Sequence, residues 1–238
     1  MLNINTPKGN FAYTIKPIYN GIKRINKEKA KENLLLFNKI AKKNNLKFGL
    51  CYGTLLGAIR EHDFIDHDED IDLFILDNQK DIFLCMLFEL KDEGFELARY
   101  DRRGGLASLI RNNEYLDIYI FRPLSKELWE SLGDPMPAKY ILDLKEYDFQ
   151  GENFWGARDS EEMMLFFYGK NWNIPTQSFN FNKSKLHRAL EMLIWHIYFR
   201  MPDFLFNIII KPREKKKFAR YKRRKEVLEK NLKKSKSK

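Results

Sequence analysis

Apolar residues recur at helical spacing between Lys27 and Asn44, where Leu34, Leu35, Phe37, Ile40 and Ala41 return every three or four positions. Asn44 and Asn45 mark the end of that predicted helix. Leu46–Cys51 predicts a short strand, and Gly53–Arg60 a short helix with Leu55, Leu56 and Ile59 on its buried side. A polar loop, His62–Glu69, leads into Asp70–Leu76, which alternates as a strand does. Lys80–Glu93 reads as a helix stopped by Gly94. Phe95–Tyr100 and Leu106–Ile110 read as strands around a Gly104–Gly105 turn. Tyr115–Phe121 follows the Asn112–Asn113 turn signal as a further strand. This alternation of helices and strands predicts an α/β or α+β fold. Residues 1–25 read as an irregular lead-in, and 122–160 as an irregular stretch punctuated by proline and glycine. Asp159–Tyr168 and Leu186–Tyr198 complete the predicted helices, and no internal repeat is visible.

Composition narrows the class. The 238 residues are 44% hydrophobic and 14% aromatic, which opposes a disordered chain. Two cysteines, Cys51 and Cys85, make neither a disulfide framework nor a four-ligand zinc site, so a reducing cytoplasm is expected. The N-terminus lacks a basic region followed by an apolar core, and no charge-free apolar stretch reaches transmembrane length. The net charge of +10 is unevenly spread. Residues 211–238 hold 15 Lys and Arg against 3 acids, whereas residues 33–210 hold 21 against 28. Because the surplus lies at the ends, away from any cleft, specific nucleic-acid binding is not expected.

The candidate chemistry sits in CYGTLLGAIREHDFIDHDEDIDLFI, Cys51–Ile75. Asp70 and Asp72 are two residues apart, so a strand presents both on one face. Two carboxylates that close repel unless a cation or a proton compensates. Magnesium suits them, with manganese as the alternative, because it takes oxygen ligands and keeps waters that meet phosphates. Asp117, in the apolar strand YLDIYIF, could complete the cluster from a neighbouring strand. A solvated strand edge or a structural ion pair would account for the same pair of acids. Gly53 would let a phosphate approach backbone N–H groups, Thr54 could donate a hydroxyl, and the following helix would offer its positive end. A plain strand–helix turn capped by Thr54 is the alternative. Arg60 could hold a phosphate or equally pair with a nearby Asp or Glu, and His62 or His67 could accept a proton, orient a substrate or simply lie at the surface. Arg99, Arg102 and Arg103 form a weaker anion-binding candidate beside a glycine turn.

These residues together resemble the LicD family, which includes fukutin-related proteins. The resemblance rests on YGTLLGAIR, the acidic run DHDEDID, Asp117 in YLDIYIF, and a later YG…W…P element ending at Pro175. It covers roughly residues 30–175 and implies a nucleotidyltransferase-like mixed sheet flanked by helices. It also implies transfer of a phosphorylated alcohol, such as phosphocholine or ribitol phosphate, from a CDP-linked donor to a glycan. By position, Asp70, Asp72 and Asp117 match the catalytic and metal-binding acids. Gly53 and Thr54 match the donor-binding turn, and Arg60 through Asp68 the donor or acceptor contact region. His67 stands where many relatives have tryptophan, and Glu69 where they have aspartate. The cysteine-rich zinc insertion of some relatives is absent.

The expected organisation is a catalytic domain at 1–180, an apolar helical segment at 181–210 packing on that domain or on a membrane, and a polybasic tail at 211–238. The aromatic segment 147–172 could close over the acceptor, with Trp155 and Trp172 as the sugar-facing rings, and core packing is the alternative for several of its rings. The acceptor would be an oligosaccharide or polysaccharide of the cell surface, free or lipid-linked. The tail would hold the enzyme at the inner face of the membrane through anionic lipids, the alternatives being nonspecific nucleic-acid binding or a solvated tail. Two alternatives are a nucleotidyltransferase acting on a small molecule or RNA, and an inactive nucleotide- or glycan-binding protein.

Overall fold

The computed structural model describes residues 1–18, 23–176, 184–209 and 211–236. Residues 181–183 and 210 of the expected apolar segment, and 237–238 of the basic run, lie outside those described.

The strands are β1 (Leu2–Thr6), β2 (Gly9–Tyr13), β3 (Gly49–Leu50), β4 (Ile71–Leu76), β5 (Glu96–Asp101), β6 (Leu106–Arg111), β7 (Glu114–Pro123), β8 (Leu128–Ser131), β9 (Asp134–Pro137), β10 (Leu144–Phe149) and β11 (Glu152–Ala157). The helices are α1 (Lys27–Lys43), α2 (Tyr52–Arg60), α3 (Lys80–Asp92), α4 (Lys139–Leu142), α5 (Ser160–Tyr168), α6 (Lys185–Arg200), α7 (Asp203–Ile209) and α8 (Lys211–Lys236). The main sheet runs β10-β11-β3-β4-β7-β6-β5, with β8 and β9 attached beyond β7. It is mixed: β4–β7 and β11–β3 are parallel, and the other pairs are antiparallel. The expected α/β architecture is therefore present, a mixed sheet flanked by helices with a helical C-terminal region.

Periodicity explains the central elements. Helix α1 buries Ala30, Leu34, Phe37, Ile40 and Ala41, and its Asn26 cap accepts the Lys29 N–H. Each fully buried Leu or Phe there contributes about 1.5–3 kcal/mol by leaving water. In β4, Ile71, Leu73 and Ile75 are wholly buried on the face opposite Asp72. The strand starts at Ile71, so Asp70 stands at its mouth.

Three expectations are corrected. The lead-in contains a hairpin, β1–β2, whose Ile4, Phe11 and Tyr13 enter the core. The strand expected at Leu46–Cys51 is regular only over Gly49–Leu50. Phe74 and the Trp155 carbonyl close on Gly49 so tightly that a Cβ there would lie 2.5 Å from the Phe74 ring, so glycine alone fits between the neighbouring strands. The stretch 122–160 holds four strands and a short helix. Pro135 and Pro137 fall in β9, an outer strand where a missing N–H costs little. Gln150 and Gly151, both at positive φ, make the two-residue turn of the β10–β11 hairpin.

Candidate active site

The parallel register of β4 and β7 sets Asp72 directly beside Asp117. Antiparallel pairing carries the row on to Ser108 of β6, which lies opposite Asp117. Arg99 of β5, the Cα partner of Ser108, completes it. One polar line thus crosses four strands inside an apolar sheet. Asp72 and Asp117 are 7% and 4% exposed, so neither acid belongs to a solvated edge.

Helix α2 is tied to β4 by two hydrogen bonds. The Gly53 N–H donates to Asp72 Oδ2 at 2.9 Å, and the Asp72 N–H donates to Thr54 Oγ1 at 2.8 Å. A Cβ on Gly53 would lie 2.4 Å from Asp68 Oδ2 and 3.2 Å from Asp72 Oδ2. Two carboxylates therefore converge where a side chain would otherwise be. The Gly53 N–H is already occupied by Asp72, so glycine here admits carboxylates, where the sequence suggested a phosphate. Thr54 is buried and secures the strand backbone. Tyr52, which opens α2, has φ 41°, a left-handed conformation that costs a non-glycine residue about 1–3 kcal/mol. Its ring is held edge-on by Tyr119 and Phe167 at 4.9 and 5.2 Å.

The cleft above this floor has a volume of about 390 Å³. Asp68, Asp70, Asp72, Arg60, His67 and Gly53 line it, together with Tyr52, Tyr115, Tyr119, Tyr168 and Trp172. Burial, then the charges of Asp72, Asp117, Asp68 and Glu69, pushes the Asp70 carboxyl well above the ordinary carboxylate range. Burial and the charges of Asp68 and Asp117 do the same to Asp72, against the opposing hydrogen bonds of Gly53 and Tyr119. Burial also raises Asp68. The side chains able to hold a divalent cation are Asp70 and Asp72, with Asp68 beside them.

Asp117 is engaged differently. Ser108 donates a short hydrogen bond to its Oδ1, and Arg99 donates to its Oδ2 at 2.9 Å. Arg99 also donates to Ser108 Oγ at 2.6 Å. Burial opposes the Arg99 charge, but Asp117 and its neighbours raise its pKa overall. Among the described residues, no three His, Cys, Asp or Glu side chains form a ready-made metal cage.

Most sequence-predicted site residues meet here, and some do not. Arg60 lines the cleft, yet its guanidinium is bound to Glu61 and to the Trp172 carbonyl. His62 is exposed at the end of α2, outside the cleft lining. Trp155 is 46% exposed and lines a different hollow with Lys42, Asp148 and Asn153. The three arginines separate: Arg99 pairs with Asp117, while Arg102 and Arg103 bind Asp203. Sequence reasoning missed Tyr119 and Tyr168. Tyr119 follows Asp117 by two positions, so its alternation with Asp117 was the available signal.

Residues 45–159 match the nucleotidyltransferase domain of LicD/FKTN/FKRP. Uncharacterized protein RT0683 of Rickettsia typhi is 29% identical over 122 residues, covering 49% of this chain and 38% of that protein. Ribitol-5-phosphate transferase FKTN of Homo sapiens is 26% identical over 170 residues, covering 66% of this chain and 36% of that protein. This chain thus spans well under half the length of either relative. The solved structure of the antibiotic-resistance factor ANT(2'')-Ia aligns at a TM-score of 0.47 and 14% identity, covering 87% of this chain and 98% of that one. The matched segment contains β3, α2, β4 and β7, and with them Gly53, Thr54, Asp70, Asp72 and Asp117, so the candidate site falls within the stretch that matches the nucleotidyltransferase domain of LicD/FKTN/FKRP.

Proposed function

We propose that the chain transfers a phosphorylated alcohol, of the phosphocholine or ribitol-phosphate type, from a CDP-linked donor to a sugar hydroxyl of a glycan, with release of CMP. The observation that carries this reading is the pair Asp70 and Asp72 in the lining of the cleft, with Asp117 buried beside Asp72 on the neighbouring strand. The family match supports the choice of reaction class.

The donor set is one of hard oxygens under mutual repulsion, which fits magnesium or manganese. Asp70 and Asp72 would hold the ion, and water and phosphate oxygens would fill its remaining positions. When bound, such an ion neutralises the charge of the diphosphate and of the phosphoryl group in transfer. Asp117 is the third carboxylate of this reading. Both of its oxygens are engaged, so ligation would require Arg99 or Ser108 to yield one of them. Orienting an acceptor hydroxyl would require the same release. Arg60 lies at the cleft wall and could meet the phosphates if its guanidinium left Glu61. Tyr168 and Trp172 offer ring faces against which the C–H faces of a sugar pack.

In the same reading, the chain works at the inner face of the membrane on a free or lipid-linked glycan, with the basic segment 211–238 on anionic headgroups. The support is its charge; among the described residues no helix is long and apolar enough to cross a membrane.

Release of CMP from a panel of CDP-linked alcohols, with and without glycan acceptor, tests the chemistry. Acceptor-dependent CMP release that disappears in folded Asp72→Asn supports it. Incorporation of NMP from an NTP, with CDP-alcohols inert, would replace it by a nucleotidyltransferase reading.

A further inference from the structure

Helices α6 and α7 carry an apolar ridge that the domain leaves uncovered. Leu190, Leu193, Ile194 and Ile197 are 54%, 57%, 53% and 56% exposed, and their spacing puts them on one side of α6. Phe204 and Ile208, four residues apart on α7, are 64% and 68% exposed. The other side of α6 is anchored. Met192, Trp195 and Phe199 pack against the core, and Trp195 lies 5.2 Å from the Arg99 guanidinium. The Tyr198 hydroxyl donates to Asp101 at 2.8 Å, and Arg103 donates to the Tyr198 and Met201 carbonyls at the corner between the helices. The ridge is therefore held in place, and a fixed apolar surface of this kind marks an interaction site.

We infer that this ridge is embedded in the interfacial layer of an anionic bilayer, with α6 and α7 lying in the membrane plane. This rests on the proposed membrane location and is independent of the chemistry at Asp72. An apolar helix face held beside strong positive charge is the signature of an interfacial helix. The charge is supplied by α8, which follows α7 directly in the chain and belongs to the segment with 15 Lys and Arg against 3 acids. Its Arg220, Lys222, Arg223 and Lys225 are exposed. A second copy of the chain is the poorer occupant, because each copy carries a net charge of +10. The ridge supplies apolar burial and the basic helix supplies attraction to anionic headgroups, the two signals that stable surface binding needs.

Sedimentation of the full chain with vesicles tests this. Phosphatidylcholine vesicles containing phosphatidylglycerol should bind the protein, and vesicles of phosphatidylcholine alone should bind it more weakly. The double substitution Leu193→Glu/Ile197→Glu, and separately Phe204→Glu, should weaken binding by about tenfold or more. Their melting temperatures should not change, because the replaced side chains face solvent. Variants that bind like the wild type would overturn the inference. So would a vesicle-free dimer that these substitutions dissociate, since the ridge would then join two copies. Transfer to a water-soluble acceptor separates the two readings. Ridge variants that lose vesicle binding but keep wild-type transfer support the inference and leave the chemistry standing, whereas vesicle binding without any transfer supports the inference and counts against the chemistry alone.

Discussion

Arg99 donates to Asp117 Oδ2 at 2.9 Å, and the two side chains are 16% and 6% exposed. Removing one partner of a buried ion pair leaves the other charge uncompensated, a loss of about 3–5 kcal/mol. Arg99→Gln should therefore lower stability by roughly 3 kcal/mol in urea unfolding. The double variant Arg99→Gln/Asp117→Asn should recover much of that loss. A double variant no more stable than Arg99→Gln would show that the pair does not carry the effect.

Asp68, Asp70 and Asp72 all bind their protons more tightly in the folded chain than ordinary carboxylates do, chiefly through burial. The sign follows from linkage. A folded pKa above the unfolded one means that the folded state gains stability as pH falls toward the raised values and loses it as pH rises through them. Chelator-treated protein should thus lose melting temperature as pH rises above the ordinary carboxylate range, more steeply than Asp72→Asn, whose profile should be flatter. Magnesium should raise the melting temperature more at the higher pH, where the carboxylates are free of protons. Parallel profiles for the wild type and Asp72→Asn, measured by calorimetry with and without the ion, would contradict both expectations.

Gly53→Ala places a methyl group 2.4 Å from Asp68 Oδ2. Either Asp68 leaves the cleft or α2 shifts from β4. We expect a destabilisation of about 1–3 kcal/mol, as for other overpacked sites, and loss of magnesium-dependent stabilisation. Titration of the variant with magnesium while following its melting temperature checks this, and an undiminished response would refute it.

Thr54→Val removes the acceptor of the buried Asp72 N–H. An unsatisfied buried donor costs about 1–3 kcal/mol, so the variant should unfold at lower denaturant by that amount. Thr54→Ser keeps the oxygen and should stay close to the wild type. Equal loss in both variants would point to the methyl group, and equal retention would remove the role assigned to the hydroxyl.

Local pattern determined a good deal of this protein. The 3.6-residue period of α1 and the alternation in β4 and β7 made the central elements legible, because each follows from which side chains must leave water. The two-residue spacing of Asp70 and Asp72 singled out the pair, and both line the cleft although the strand begins only at Ile71. The motif from Gly53 to Ile75, with Asp117, also carried the family resemblance. Tertiary structure decided the rest. The hairpins β1–β2 and β10–β11 were hidden by short strands and by turn residues that read as loop, since their burial depends on partners far along the chain. The uses of Gly53 and Thr54 changed because Asp72 reaches them across 19 and 18 residues. No local signal joins Arg99 to Asp117. The pair exists only through the register of β5 on β6 and of β6 on β7, with an irregularity in β5 between Leu97 and Arg99. A strand's own sequence sets which residues share a face, but the neighbour each one meets is set by pairing across the sheet, and that is a property of the whole fold.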